Sequence, residues 1–267
     1  MREFSIQERK HVLLDTLVAF DNACEEVGVK YSAAEGTLIG VVRHKGFIPW
    51  DDDVDVYMLR SDYNRFLKEY DNKSGRYKVV GLENSKTWDR PFAKFYDSTT
   101  LEQENTRSNL GIGLGIDLFP LDAVPEDVSE FHQYRKRLYR LRDVYVAKSL
   151  ALSSKRSAVK NISIIFMQLV LLPFSQKFLA KCVNNYSQKY NNKKSSLLCD
   201  NVEGYEYREP YHINEFASYI RMPFENTTVS VMTGYKVVLT KEYGDYMKLP
   251  PEEQRVSHHD TKTYWRD

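Results

Sequence analysis

Residues 35–57, EGTLIGVVRHKGFIPWDDDVDVY, decide how the rest of the chain is read. The stretch holds a Gly-Thr turn (Gly36, Thr37), a basic cluster (Arg43, His44, Lys45) and an acidic run of Asp51, Asp52, Asp53 and Asp55. Carboxylates this close repel one another unless a cation neutralises them or they point apart. Asp53 and Asp55 flank Val54, and Val56 follows, which is the period-two pattern of a half-buried strand. Both acids then project to one side while the valines anchor the other. Two carboxylates so placed suit a hard divalent cation that holds substrate phosphates. Asp51 and Asp52 lack the alternation with valine and read as supporting acids. A solvated acidic turn is the competing reading; the apolar flanks IPW and VDVYML favour a site.

Upstream, residues 5–29 carry apolar side chains at helical spacing, with Gly28 as the stop signal. Residues 30–34 read as a short strand, and the turn at 35–37 leads into a second helix over 38–42. Glycine at 36 lets backbone approach a ligand closely, and helix N-terminal amides behind it favour an anion. Arg43 and Lys45 then either meet phosphate, arginine by two parallel N–H bonds, or decorate a surface turn.

Downstream, residues 60–72 read as a helix capped by Ser61, and residues 77–81 and 93–96 as strands. Lys94 belongs to the second of these, but spacing does not fix which face it takes. The glycines of GIGLGIDLFPLD (111–122) have no Gly-Lys-Ser/Thr ending, so a phosphate loop is set aside. A strand over 116–119 carries Asp117 among apolar residues, where an acid is costly to bury unless paired or bound to metal. Asp117 is the third carboxylate to Asp53 and Asp55, as ligand or base. Asp122 reads as structural.

Residues 126–150 form a basic helix with Phe131, Tyr134, Leu138, Leu141 and Tyr145 as its apolar stripe. The run ISIIFMQLVLLPF (162–174) is shorter than the ~20 residues a helix needs to cross a bilayer. It is either a buried core helix or an interfacial segment, and the surrounding Arg156, Lys160, Lys177 and Lys181 favour the interface. Strand-like pieces follow at 197–199, 224–225 and 227–231, then a helix over 235–242. Arg255, His258 and His259 stand together near the end. They fit phosphate contact or acid–base work, or a plain surface tail; adjacent histidines lack zinc-binding spacing.

A net charge of +1 and the lack of a basic tail give no reason to expect nucleic-acid binding. Three scattered cysteines fit a reducing compartment, and the charged N-terminal stretch lacks a signal peptide's apolar core, so a cytoplasmic protein is expected.

The pieces EGTLIGVVRHKGFIPWDDDVDVYM, FAKFYDSTT, GIGLGIDLFPLDAVP and GYKVVLTKEYGDYMKLPPEEQRVSHH together resemble the LicD family of phosphorylcholine transferases. The resemblance implies an α+β, nucleotidyltransferase-like fold, a mixed sheet flanked by helices. Residues 1–125 would form the catalytic core, 126–200 a helical, membrane-facing subdomain, and 201–267 a segment returning to the core. It also implies transfer of phosphorylcholine from CDP-choline to a sugar hydroxyl of a cell-surface glycan. That glycan is a lipid-linked teichoic acid precursor or a lipopolysaccharide, and the enzyme sits peripherally on the cytoplasmic face of the plasma membrane. Asp53, Asp55 and Asp117 would hold Mg2+ or Mn2+. Gly36, Thr37, Arg43, Lys45, Lys94, Arg255, His258 and His259 would contact substrate, and an aromatic such as Trp50 or Trp88 the choline. Two alternatives remain: transfer of ribitol or glycerol phosphate from a CDP-linked donor, and a non-catalytic scaffold.

Overall fold

The computed structural model describes residues 2–72, 75–104, 110–152, 156–204, 208–256 and 261–266; His258 and His259 lie outside the described residues. Helix α1 (Ile6–Val27) starts at a capping box in which Ser5 and Glu8 satisfy each other's backbone amides, and ends where Gly28 turns left-handed. It leads through β1 (Ser32–Ala33) and α2 (Glu35–Ile39), which continues as a π-helical turn over Gly40–His44. Next come β2 (Asp55–Leu59), α3 (Arg60–Glu69), β3 (Tyr77–Val80), β4 (Ala93–Asp97), β5 (Thr100–Glu104) and β6 (Gly115–Ala123). The helical part comprises α4 (Val128–Ser149), α5 (Ala158–Val170) and α6 (Gln176–Ser187). The chain then returns through β7 (Leu197–Asp200), β8 (Tyr211–His212), β9 (Tyr219–Phe224), β10 (Thr227–Met232), α7 (Tyr235–Tyr243) and β11 (Thr261–Trp265).

The main sheet runs β1-β2-β6-β4-β3, with β7 and β8 continuing from β6. Only β2 and β6 pair in parallel among its described strands, so the sheet is mixed and the class α+β. Strand β6 runs past its expected end at 119, through Pro120. Strand β4 pairs with β6 up to Leu118 and β7 from Leu121, so Pro120 falls in the gap between two partners on one edge. Its missing N–H therefore breaks no ladder bond on that edge.

The two faces of the sheet differ in kind. Val56, Met58, Ile116, Leu118 and Phe95 share one face and are buried. Helices α1 and α3 cover it, with Phe20 against Phe66 and Phe95. The pleat sends Asp55, Tyr57, Asp117 and Lys94 to the opposite face. Three of these are lateral neighbours, because Asp117 is in register with Asp55 on one side and with Lys94 on the other. Register thus fixes the direction of Lys94, which spacing left open.

Several local expectations need correction. Helix α3 begins at Arg60 with Leu59 as a cap lacking a side-chain bond, so Ser61 lies inside the helix. Arg60 instead turns inward to a buried two-pronged ion pair with Asp122. Helix α2 begins at Glu35, three residues before its expected start, with Glu35 itself at φ 45°. Asp53 precedes β2, although residues 51–56 still alternate between partly open and buried. The antiparallel β5–β11 ribbon carried no strand signal that the reading used. The glycine alternation at 113 and 115 is steric: a Cβ at Gly113 would lie 1.8 Å from Asp97 O, and one at Gly115 2.2 Å from Phe95 O.

Candidate active site

Asp51, Asp53 and Asp55 lie on the partly open side of the acidic run, while Asp52, Val54 and Val56 turn in. Among the described residues Asp51, Asp52 and Asp53 can each bring an oxygen within 4.8 Å of the others. Asp52 is the least suited of the three to a ligand, since it is buried with Arg9 Nε 3.9 Å from its Oδ2. Asp51 is the better third member, because it also lines the adjoining cleft. Burial, then Asp53, Asp117, Glu35 and Asp51, push the Asp55 carboxyl well above the usual carboxylate range. Such crowding of hard oxygen donors fits a divalent cation.

Thr37 and Gly36 hold this cluster from above. The Asp55 amide donates to Thr37 Oγ1 at 2.9 Å, which ties the turn to the first residue of β2. A Cβ at Gly36 would stand 2.8 Å from Asp51 Oδ2, so only glycine leaves that carboxylate where it is.

Beneath the acids runs a chain of buried charges. Lys94 Nζ lies 3.3 Å from Asp117 Oδ1 and 2.9 Å from Glu102 Oε2. Arg9 meets the other Glu102 oxygen at 2.7 Å and donates to Thr263 Oγ1. Burial opposes the charge on Glu102, yet Lys94 and Arg9 outweigh it and hold the carboxyl down to about 2. Lys94 is thus a buried ion-pair partner of Asp117.

A second buried network stands behind Glu35. Tyr57 and Tyr243 donate to its two oxygens at 2.7 and 2.6 Å, and Arg208 forms a forked ion pair with it. Arg208 Nη1 also lies 3.3 Å from Glu242 Oε1, which accepts from Tyr211 and stands 3.0 Å from the Tyr57 hydroxyl. Burial and the neighbouring Glu35 raise Glu242 to about 7, whereas Arg208, Tyr243 and Tyr57 overcome burial and lower Glu35. Sequence reading missed this network; its one signal was a glutamate directly before Gly36.

A cleft of about 780 Å³ opens beside the acids, lined among others by Gly36, Arg43, Trp50, Asp51, Tyr243 and Tyr246. Of the residues named from sequence, it brings Gly36, Arg43, Trp50 and Asp51 together. Arg43 Nη1 is tied to Tyr246 O at 2.8 Å and Lys248 O at 3.2 Å. Arg255 stands at the cleft's edge with its guanidinium 5.9 Å from the Trp50 ring centre. Lys45 is exposed and does not line the cleft. Trp88 is fully buried, donating to Phe92 O, so it offers no surface to a ligand.

Residues 28–164 match the family described as LicD/FKTN/FKRP, nucleotidyltransferase domain. The lipopolysaccharide cholinephosphotransferase LicD of Haemophilus influenzae is 32% identical over 268 residues, covering 99% of each chain. Shorter similarities reach an uncharacterised protein of Rickettsia typhi (34% over 67 residues, 25% of this chain and 22% of that one). Another, of Rickettsia prowazekii, is 50% identical over 34 residues, 13% of each chain. With a family match over half its length and a relative aligned from end to end, the chain belongs to the LicD family of nucleotidyltransferase-fold proteins.

Proposed function

We propose that the protein transfers phosphorylcholine from CDP-choline to a sugar hydroxyl of a cell-surface glycan, releasing CMP. The observation that carries this reading is the sided row of Asp51, Asp53, Asp55 and Asp117 beside a glycine turn, in a full-length relative of a cholinephosphotransferase. Asp53, Asp55 and Asp117, joined by Asp51, would hold Mg2+ or Mn2+. When bound, the ion neutralises charge on the diphosphate and on the departing CMP. The acceptor oxygen bonds to the phosphorus of phosphorylcholine as the bond to CMP breaks. Asp117 completes the metal set or takes the hydroxyl proton. Lys94 is a positioning residue that fixes the Asp117 carboxylate, and Arg43 steadies phosphate with the N–H groups it does not spend on His44, Tyr246 and Lys248. Backbone at Gly36 and Thr37 approaches the same phosphates; Lys45, Arg255, His258 and His259 are kept as substrate contacts on the strength of the sequence resemblance alone. The quaternary ammonium needs an aromatic surface, and Trp50, Tyr243 and Tyr246 supply one in the cleft.

The acceptor on this reading is a lipid-linked precursor of teichoic acid or lipopolysaccharide, met at the cytoplasmic face of the plasma membrane. Residues 1–125 and 201–267 serve the chemistry and 126–200 the membrane side. The test is CMP release from CDP-choline, with and without Mg2+ and a glycan acceptor, beside CDP-ribitol and CDP-glycerol. Transfer from CDP-ribitol or CDP-glycerol with none from CDP-choline overturns the donor; no CMP from any donor favours a scaffold.

Gly36→Ala probes the geometry. The new methyl displaces the Asp51 carboxylate rather than backbone, so folding should survive and thermal unfolding stay within about 1 kcal/mol of wild type. CMP release should fall about 100-fold, the usual cost of misplacing a site group by an ångström. Unchanged turnover would remove Asp51 from the site.

A further inference from the structure

Helix α5 is built inside out. Of its thirteen residues, Gln168 is the one classed as buried, and its side-chain amide donates to Ala147 O and Leu150 O at the end of α4. The apolar side chains Val159, Ile162, Phe166, Leu169 and Val170 are 55–73% exposed. Their spacing puts them on one stripe, the stripe that a helix of a water-soluble domain turns toward its core. The following turn adds Leu172 at 69% exposure. An apolar surface of this kind marks a docking face.

Charge identifies the occupant. From residue 144 to residue 199 the sequence has nine Lys or Arg and no Asp or Glu. Lys160 on α5 and Lys181 on α6 are exposed. No described helix is long and apolar enough to cross a membrane. Cations around an apolar stripe match a surface with anionic head groups over hydrocarbon, where each lysine adds attraction and each apolar side chain leaves water. We infer that α5 and the turn after it lie in the interface of an anionic bilayer, with the Val159–Ile162–Phe166–Leu169 stripe toward the acyl chains. This deepens the membrane-side part of the reading above, yet stands on α5 alone and not on the chemistry of the acids.

The test is flotation of the full chain with vesicles of phosphatidylcholine containing 30% phosphatidylglycerol, against pure phosphatidylcholine. Binding is expected to the anionic vesicles and to weaken as salt is raised. Phe166→Glu with Leu169→Glu should lower vesicle affinity at least about tenfold, since both side chains leave the hydrocarbon and two negative charges are added. Both residues are exposed, so the unfolding temperature should hold, and CMP release on a water-soluble acceptor reports the chemistry separately. Equal flotation of the double variant, or no flotation of wild type, overturns the inference. So does a lipid-free dimer in sedimentation velocity that the double variant dissolves, which would give the stripe to a second copy of the chain.

Discussion

Asp55→Asn is expected to cut turnover steeply and stabilise the protein at once. Asp55 sits among Asp51, Asp53, Asp117 and Glu35, and its carboxyl is raised well above the ordinary range, burial first and the four acids after. An acid raised on folding costs stability as pH climbs above its unfolded value, so at neutral pH the native state carries that cost. Asparagine keeps the shape and the backbone bond to Thr37 but removes the charge. In EDTA the variant should unfold about 1 kcal/mol later, or roughly 2–4 °C higher. Its CMP release should drop by about 10³-fold, because a carboxylate assigned to the metal is gone. Added Mg2+ should raise the unfolding temperature of wild type and do less for the variant, since a ligand stabilises only the fold that binds it. A variant that keeps its turnover would rule Asp55 out as a site residue.

Arg208→Ala should be the most destabilising of the substitutions considered. It strips the counter-charge from Glu35 and Glu242, two buried carboxylates that share the arginine. Breaking one side of a buried pair costs about 3–5 kcal/mol, hence a fall of roughly 10 °C in a chain of this size. Adding Glu242→Gln to Arg208→Ala should recover part of the loss, because one stranded charge disappears. Glu242 adds a pH signature of its own. Its folded value near about 7 lies above an unfolded value of 4.5, so its contribution is full below that lower value and is lost as pH rises through 7. Glu242→Gln should flatten the decline of stability between pH 5 and 7.5, by up to ~1.4 kcal/mol per pH unit at its steepest. Denaturant titrations across that range decide it; parallel curves for both proteins would exclude the network as the source.

What the sequence made legible was local. Alternation of Asp53 and Asp55 with valines put two acids on one side, and the apolar setting of Asp117 marked it as an acid needing a partner. The structure sets Asp117 in register with Asp55, a relation no spacing within either segment contains. Lys94 was visible as a residue but not as a direction, because its face depends on how β4 pairs with β6. The Glu35 network was harder still: Arg208 arrives from 173 residues away. Asp51 read only as a supporting acid because it lacks the alternation with valine, although the cleft and Gly36 both press against it. The apolar run at 162–174 was plain in composition, yet composition cannot say whether such a helix turns inward or outward. Here one buried glutamine orients α5.

The β5–β11 ribbon bears on the order in which the site is assembled. Glu102 of β5 takes Lys94 on one side and Arg9 on the other, and Arg9 also donates to Thr263 of β11. The core strands β1 to β6 are all made before the ribosome reaches β11. A growing chain can therefore assemble the acid row and the Arg9, Glu102 and Lys94 charges beneath it first, while the Thr263 hydroxyl that holds Arg9 arrives only with β11. The brace under the acids is complete only once β11 has paired with β5.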